Sequence, residues 1–209
     1  MRVVGWNVRS LRDGRSSVVR VVRSLDPDVL VLQEAPRLLL WRLSRWWLAR
    51  ACGLRLATTG WAAGNVVLVR PGVVVRRRLS VRVPKRPGLH RRSAAVAVVE
   101  VGGTLLAVAG THLDLEPRAR LDTAARVRAA LPEGLPLVLS ADVNDEPGSA
   151  AWAALTAGLV DAGSALTFPA GSPRRRIDAL LVRDLEVVGH DVVDVAGASD
   201  HRALVADLR

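Results

Sequence analysis

The stretch LVLSADVNDEPGS, residues 137–149, runs from an apolar segment straight into Asp142, Asn144, Asp145 and Glu146. A buried strand that ends in this much carboxylate and amide presents them to something positive. Asp142 and Asn144 stand at i and i+2, so an extended chain points both side chains the same way. An Asx-turn leading into EPGS is the plainer alternative for the same two residues. Asp145 and Glu146 fit a solvated turn ahead of a helix N-terminus.

Outward from this stretch, strand and helix patterns alternate. RVVGWNV (2–8), DVLVLQE (28–34) and GNVVLVR (64–70) read as strands, the second a continuous apolar run ending in a carboxylate. VVVRRRLSVRV (73–83), SAAVAVVEV (93–101) and TLLAVAGTHL (104–113) follow, with Pro-Gly and Gly-Gly as turn signals between successive strands. RIDALLV (176–182), LEVVGHDVV (185–193) and RALVADL (202–208) close the chain. Helical spacing is found over 15–25, 36–53, 117–131 and 148–158. Val18, Val22 and Leu25 make the apolar face of the first; Leu121, Ala124, Val127 and Leu131 make that of the third. Hairpin-like strands flanked by helices argue against a purely parallel fold and for two mixed sheets with helices outside.

The chain has 209 residues, half of them apolar, which is enough for one sizeable core; a single domain and a monomer are expected. MRVVGWNV reads as a strand and not as a signal peptide. No apolar run reaches the roughly 18–20 residues of a membrane span. One cysteine, Cys52, excludes an internal disulfide framework and fits a reducing, cytoplasmic compartment. The net charge of +10 points to an anionic partner, nucleic acid or a phosphorylated or anionic lipid surface. With Lys85 the only lysine, compositional bias toward arginine accounts for the charge equally well.

The polar residues at predicted strand ends are Asn7, Glu34, His112 with Asp114, Asp142 with Asn144, Asp178, and Asp200 with His201. Strand ends are where a scaffold gathers side chains from distant parts of the chain into one cleft. The set is rich in acids and amides, with two histidines and no thiolate, which favours Mg²⁺ or Mn²⁺ over zinc.

These motifs, WNVRS, DPDVLVLQE, GNVVLV, THLD, SADVNDEPGS, TFPA, RRRIDALLV and SDHRALVADL, resemble in type and order the endonuclease/exonuclease/phosphatase (DNase I-like) superfamily along essentially the whole chain. The resemblance implies a four-layered α/β sandwich, two mixed sheets packed face to face with helices outside, and metal-dependent hydrolysis of a phosphate ester. It implies Glu34 as principal metal ligand, where a helix-capping carboxylate is the alternative, and a further metal contact from Asp200. Asn7 would hydrogen-bond a phosphate oxygen or a water on the metal. Asp142 would orient or deprotonate the attacking water, and Asn144 would steady it. Asp178 would hold His201, which serves as general base or as cationic clamp. His112 would protonate the leaving oxygen or bind phosphate, and Asn65 would contact phosphate. Thr111 and Ser199 would support the neighbouring histidines.

Two departures from the family pattern bear on substrate. Some members carry an acid two residues after the first-strand asparagine; here that place is Arg9, a cation for the scissile phosphate. The chain has no tyrosine, which argues against an abasic-site repair enzyme. Arg174, Arg175 and Arg176 lie just before Asp178 and are expected to meet phosphates. Nucleic acid is therefore the expected substrate. A phosphomonoester, a phospholipid or sphingomyelin-type head group, and a catalytically silent phosphate-binding module are the alternatives. In WRLSRWWLAR (41–50), tryptophan and arginine suit an interfacial helix or base stacking. Packing of Leu39, Leu43, Trp46 and Trp47 on a sheet is the favoured reading.

Overall fold

Short apolar runs bounded by Pro, Gly and Asp form the strands, and in a computed structural model of the chain, residues 1–209, they make two sheets of six. The first sheet contains β1 (Arg2–Asn7), β2 (Val29–Gln33), β3 (Arg55–Leu56), β4 (Val66–Val69), β11 (Val187–Val193) and β12 (Ala203–Leu208), in the order β11-β12-β1-β2-β4-β3. The second contains β5 (Val74–Arg82), β6 (Ser93–Val101), β7 (Thr104–His112), β8 (Leu137–Asp142), β9 (Val160–Asp161) and β10 (Asp178–Arg183), in the order β5-β6-β7-β8-β10-β9. β1–β2 and β7–β8 are parallel pairs in otherwise antiparallel sheets.

Three apolar clusters set the layers. Val3, Val31, Val67, Val108, Val138 and Leu180 fill the space between the sheets. Outside the first sheet, α1 (Arg15–Leu25) and α2 (Trp41–Ala51) bury Val18, Val22, Leu48 and Ala49 against Trp6, Leu30 and Leu68. Outside the second, α3 (Pro117–Ala129) and α4 (Ala150–Thr156) bury Ala124, Val127, Trp152 and Leu155 against Leu137 and Leu139. The result is a four-layered α/β sandwich, as the motifs imply. The sheets close most tightly at two glycines. A β-carbon on Gly5 would lie 2.2 Å from Ser140 Oγ, and one on Gly110 would lie 2.5 Å from Val31 Cγ1.

Four local expectations are corrected. Pro71-Gly72 does not join a hairpin: β4 and β5 belong to different sheets, so the turn carries the chain across the sandwich, whereas Gly102-Gly103 does join β6 to β7. β3 and β9, two residues each, are too short to leave a periodic signal. In α3 the buried face takes Arg120 and Thr123, and Leu121 is exposed.

The fourth correction concerns α2, which begins at Trp41 and buries Arg45, Leu48 and Ala49. The stripe expected to pack faces outward: Leu39 is 91% exposed, Leu43 59%, Trp46 53% and Trp47 41%. Arg45 explains the choice. Its guanidinium donates to the carbonyls of Pro36, Gly60 and Trp61 at 2.8–3.0 Å, tying the helix to two loops. Burial lowers its pKa to about 10, so it stays charged at neutral pH. A buried charge of this kind is tolerated because its donors are satisfied. No helix of the chain is long and apolar enough to cross a membrane.

Candidate active site

Strand register assembles the site. On the second sheet His112 pairs with Asp142, and Asp142 pairs with Asp178, so the ends of β7 and β8 and the start of β10 stand side by side. On the first sheet Asn7 pairs with Gln33, one residue before Glu34. β12 runs antiparallel to β1, which brings its leading residues Asp200 and His201 to the same edge. Two side-chain contacts then cross the sandwich. Asn7 Nδ2 donates to Asp142 Oδ2 at 2.7 Å, and Gln33 Nε2 donates to Ser140 Oγ at 3.0 Å.

Asp142, almost wholly buried, is the hub. Its Oδ2 lies 3.4 Å from His112 Nε2 and 3.8 Å from His201 Nε2, and its Oδ1 accepts the Asn144 N–H at 3.1 Å. That last bond is an Asx-turn, so the plainer alternative and the site reading are realised together. Asn144 reaches the site through a left-handed turn, φ 55°, instead of extended alternation. Its Nδ2 contacts His112 Nε2 at 2.8 Å and Leu113 O at 3.0 Å. Because the amide donates, Nε2 of His112 accepts and Nδ1 carries the proton; Nδ1 lies 3.9 Å from Glu34 Oε1. Glu34 also has positive φ, 51°. Such a backbone costs on the order of 1–3 kcal/mol in a non-glycine residue and clusters at functional sites.

The two histidines are driven apart in charge. Full burial lowers the His112 pKa to about 3; Asp142 opposes the shift, while Arg92, His201 and Arg37 add to it. Burial also acts to lower that of His201, but the charge and hydrogen bond of Asp178, then Asp142 and Asp200, outweigh it and raise the pKa to about 9. His201 Nδ1 meets Asp178 Oδ2 at 2.9 Å, the indole of Trp6 donates to the His201 carbonyl at 2.9 Å, and the Phe168 ring packs 4.9 Å from the imidazole. Ser199 Oγ donates to Asn7 O and accepts from His201 N, so it ties β1 to the loop before β12. At neutral pH one histidine is a neutral hydrogen-bonding group and the other an imidazolium.

Asp142, Asp178 and His201 present one donor atom each within 4.8 Å of one another and form a candidate metal-binding group. Within this trio Asp178 is hydrogen-bonded to His201, whose ring is held as an imidazolium. The oxygen of Asp142 and the neighbouring Glu34 remain available to a cation.

Other expected residues are placed differently. Asp200 Oδ2 lies 3.2 Å from Arg9 Nε, and Arg9 is shared with Asp13 at 3.0 Å. Asn65 spends its amide hydrogens on Ala62 O and Ser93 O, which leaves no donor for a phosphate. Its buried Oδ1 has no partner. Arg176 turns away from the expected role: it pairs with Asp161 at 2.6 Å, donates to Gly163 O and lies 5.1 Å over the Trp152 ring. Arg174 and Arg175 are exposed, Arg175 lying 3.5 Å from Glu146. Asp145, expected in a solvated turn, is partly exposed and pairs with buried Arg120.

Sequence reasoning missed Arg92. It is buried, 3.7 Å from Asp114, with its Nε unpartnered. Its charge is felt by His112, and its own pKa is lowered by burial, against the pull of Asp114 and Asp142. Nothing in the sequence distinguishes it from the other arginines.

Two mixed sheets that converge on buried acids and paired histidines define a phosphoesterase fold. The chain matches the model of the Endonuclease/Exonuclease/phosphatase family over residues 4–201 and belongs to that family, whose members are phosphoester hydrolases that typically use a divalent metal. It is similar to the mannosyl-6-phosphatase Bt3783 of Bacteroides thetaiotaomicron VPI-5482, with 17% identity, a TM-score of 0.84, and coverage of 100% of this chain and 99% of that one. The human Nocturnin catalytic domain with bound sulfate is 18% identical, with a TM-score of 0.80 and coverage of 100% and 93%. D. rerio TDP2 complexed with a single-strand DNA product is 18% identical, with a TM-score of 0.78 and coverage of 100% and 98%. At these identities the likeness shows the fold alone. No curated protein matches the sequence.

Proposed function

We propose that the protein is a Mg²⁺- or Mn²⁺-dependent phosphodiesterase acting on nucleic acid. The observation that carries the chemistry is one buried carboxylate, Asp142, set between a neutral histidine and a cationic one. Groups whose surroundings push their pKa values apart mark an acid–base division of labour.

The donor set suits a hard cation. Glu34, Asp142 and Asp200 offer carboxylate oxygens, and the orphaned Oδ1 of Asn65 sits on the segment whose Gly64 carbonyl accepts from Ala35, next to Glu34. Cys52, the one thiol, lies in the core behind α2. Glu34 would hold the ion, with Asp142 or Asp200 completing its protein ligands. The ion would offset charge developing on the phosphoryl oxygens.

Asp142, positioned by Asn7 and Asn144, takes a proton from the attacking water. Asn144 holds that water by its side-chain oxygen. Attack on phosphorus breaks the bond to the leaving oxygen. His201 supplies the proton that oxygen needs, because it is the histidine charged at neutral pH. His112, neutral and buried, hydrogen-bonds a phosphoryl oxygen. Asp178 keeps the imidazolium oriented and charged.

The net charge and exposed Arg174 and Arg175 support a nucleic-acid backbone as substrate. A second reading, a lipid head group, is favoured by exposed Leu38, Leu39, Leu40, Leu43, Trp46 and Trp47, which begin four residues after Glu34. Apolar exposure on this scale marks an interaction surface. Hydrolysis of an end-labelled oligonucleotide and of lipid vesicles, each with Mn²⁺ and with EDTA, tests both. Metal-dependent cleavage of vesicle lipid with none of the oligonucleotide would overturn the nuclease reading.

A further inference from the structure

Beside the cleft lies a second concavity of about 710 Å³, between Gly60–Ala62 and the β5–β6 connection. Arg82, Lys85, Arg91 and Arg92 line it, and none of its eleven lining residues is a carboxylate. Most arginines elsewhere that carry ion pairs hold a surface acid in place, as Arg2, Arg70, Arg76, Arg126 and Arg209 do. Here only Arg92 comes within 4.0 Å of a carboxylate, that of Asp114 at 3.7 Å. Clustered cations of one sign in a concave wall repel one another, and they focus field lines that attract an anion.

A buried group adds to this attraction. Arg92 is 6% exposed, and its Nε has no hydrogen-bond partner. That Nε faces the Asp114 carboxylate at 3.7 Å, outside hydrogen-bond range, so the Arg92 charge is only partly offset and adds to the positive field of the wall. Arg92 also couples the concavity to the catalytic cleft, since it approaches Asp114 on one side and its charge acts on His112. The next residue, Ser93, lines the same concavity, and its carbonyl accepts from Asn65 and Thr111. Trp61 completes the wall, with the Arg91 guanidinium 5.9 Å over its ring and its indole N–H donated to Arg37 O at 3.0 Å.

We propose that this concavity is a subsite for a second phosphate group of the substrate, adjacent to the scissile one. It rests on the phosphoesterase reading of the cleft and narrows the substrate to a compound with at least two phosphates. The neighbouring nucleotide of a nucleic acid and a further phosphate on an inositol head group present the same chemistry. Guanidinium forks bind phosphate oxygens in pairs, and Lys85 adds a point charge.

The test compares a thymidine dinucleotide bearing only its internal phosphodiester with the same dinucleotide carrying terminal 5′ and 3′ phosphates. In the wild type, kcat/KM rises by at least about tenfold with the added phosphates, the return of one charge-assisted hydrogen bond. The triple variant Arg82→Ala, Lys85→Ala, Arg91→Ala loses that gain through KM and keeps wild-type turnover of bis-p-nitrophenyl phosphate, which has one phosphate. A gain that survives in the variant, or no gain in the wild type for either the dinucleotide or an inositol bisphosphate, overturns the subsite. A gain confined to the inositol ester upholds it and assigns the source to a head group. Should the wild type hydrolyse none of these esters, the reading of the cleft fails. Pyrophosphate titration at low salt then judges the subsite separately: binding lost in the triple variant upholds it, and binding absent from the wild type or unchanged in the variant refutes it.

Discussion

Asn7 at the end of β1 donates to Asp142 at the end of β8, 2.7 Å away across the gap between the two sheets. The bond fixes the central carboxylate from one sheet to a scaffold strand of the other, and Asn7 Oδ1 is itself occupied by the Arg9 N–H at 3.0 Å. Asn7→Ala leaves a buried carboxylate short of one donor, at a cost of about 1–3 kcal/mol. We expect a lower Tm and a fall in kcat, with KM nearly unchanged. Asn7→Asp should do more harm, because a second carboxylate against Asp142 favours protonation of one of them. Equal stability and turnover in Asn7→Ala would show that the hydrogen bond is incidental.

On the proposed mechanism, His201 is expected to set the alkaline limb of activity. Its proton is held by Asp178 up to about pH 9. If the imidazolium supplies the leaving oxygen's proton, kcat falls as pH rises through that value; a general base would give the opposite slope. His201→Ala should lose about 10²–10⁴ on an alkoxide leaving group and much less on p-nitrophenolate, which needs no proton. Equal losses on both would point to a clamp on the phosphoryl oxygens instead.

The same shifts make stability pH-dependent in the metal-free protein. The folded pKa of His201 is raised, so its contribution is complete below its ordinary value of 6.5 and disappears as pH climbs through about 9. That of His112 is lowered to about 3, so its contribution is complete above 6.5 and vanishes as pH falls through about 3. NMR titration of the two imidazoles, with Tm against pH for His112→Gln and His201→Gln, reads both limbs. A His112 that protonates near 6.5 would remove the assignment of a neutral hydrogen-bonding role.

Much of this site was legible because its residues end strands. A carboxylate after an apolar run, as in Glu34 after DVLVLQ or Asp142 after LVLSA, leaves a mark in one dimension. Register then converts strand ends into neighbours, as His112, Asp142 and Asp178 show. Side-chain direction leaves no such mark. Arg176 and Arg175 are adjacent in sequence, yet one turns to Asp161 and the other to Glu146. In α2, two stripes compete, and the true one contains a charged residue, Arg45, whose three carbonyl partners come from distant loops. Hydropathy alone selects the wrong stripe there. Arg92 was invisible for the same reason: what makes it special is burial beside Asp114, a property of packing.

Glu34 can be tested without turnover. Glu34→Gln keeps the shape and removes the charge, so the stabilisation of the wild type by millimolar Mn²⁺ should shrink or vanish in a thermal shift, and most activity should go with it. The metal-free Tm should stay close to wild type, since the side chain is partly exposed and its closest basic partner is His112 at 3.9 Å. An unchanged Mn²⁺ shift would move the ligand to the Asp142–Asp178–His201 group.

The substrate question turns on which exposed cations follow a polyanion. Binding of catalytically silent Asp142→Asn protein to single-stranded oligonucleotide should weaken steeply with salt, with a slope of log K against log salt near −0.7 per phosphate neutralised, or −0.9 on duplex. Arg174 and Arg175 are exposed, so replacing both with alanine should flatten the slope by about one unit for each phosphate left without its arginine, and equally across sequences. Arg176 supplies the internal control. Its pair with Asp161 is mostly buried, so Arg176→Ala should leave the slope alone and lower Tm instead, by about 1–2 kcal/mol of stability. Anionic vesicles belong in the same experiment, because Trp46 and Trp47 stand exposed among arginines and a basic apolar surface also attracts acidic lipid. Replacing Leu39, Leu43 and Trp47 with serine should abolish vesicle binding if lipid is the partner and leave the oligonucleotide slope intact if nucleic acid is. Tight vesicle binding with no oligonucleotide binding at low salt would transfer the site, its metal and its histidines unchanged to a lipid phosphate ester.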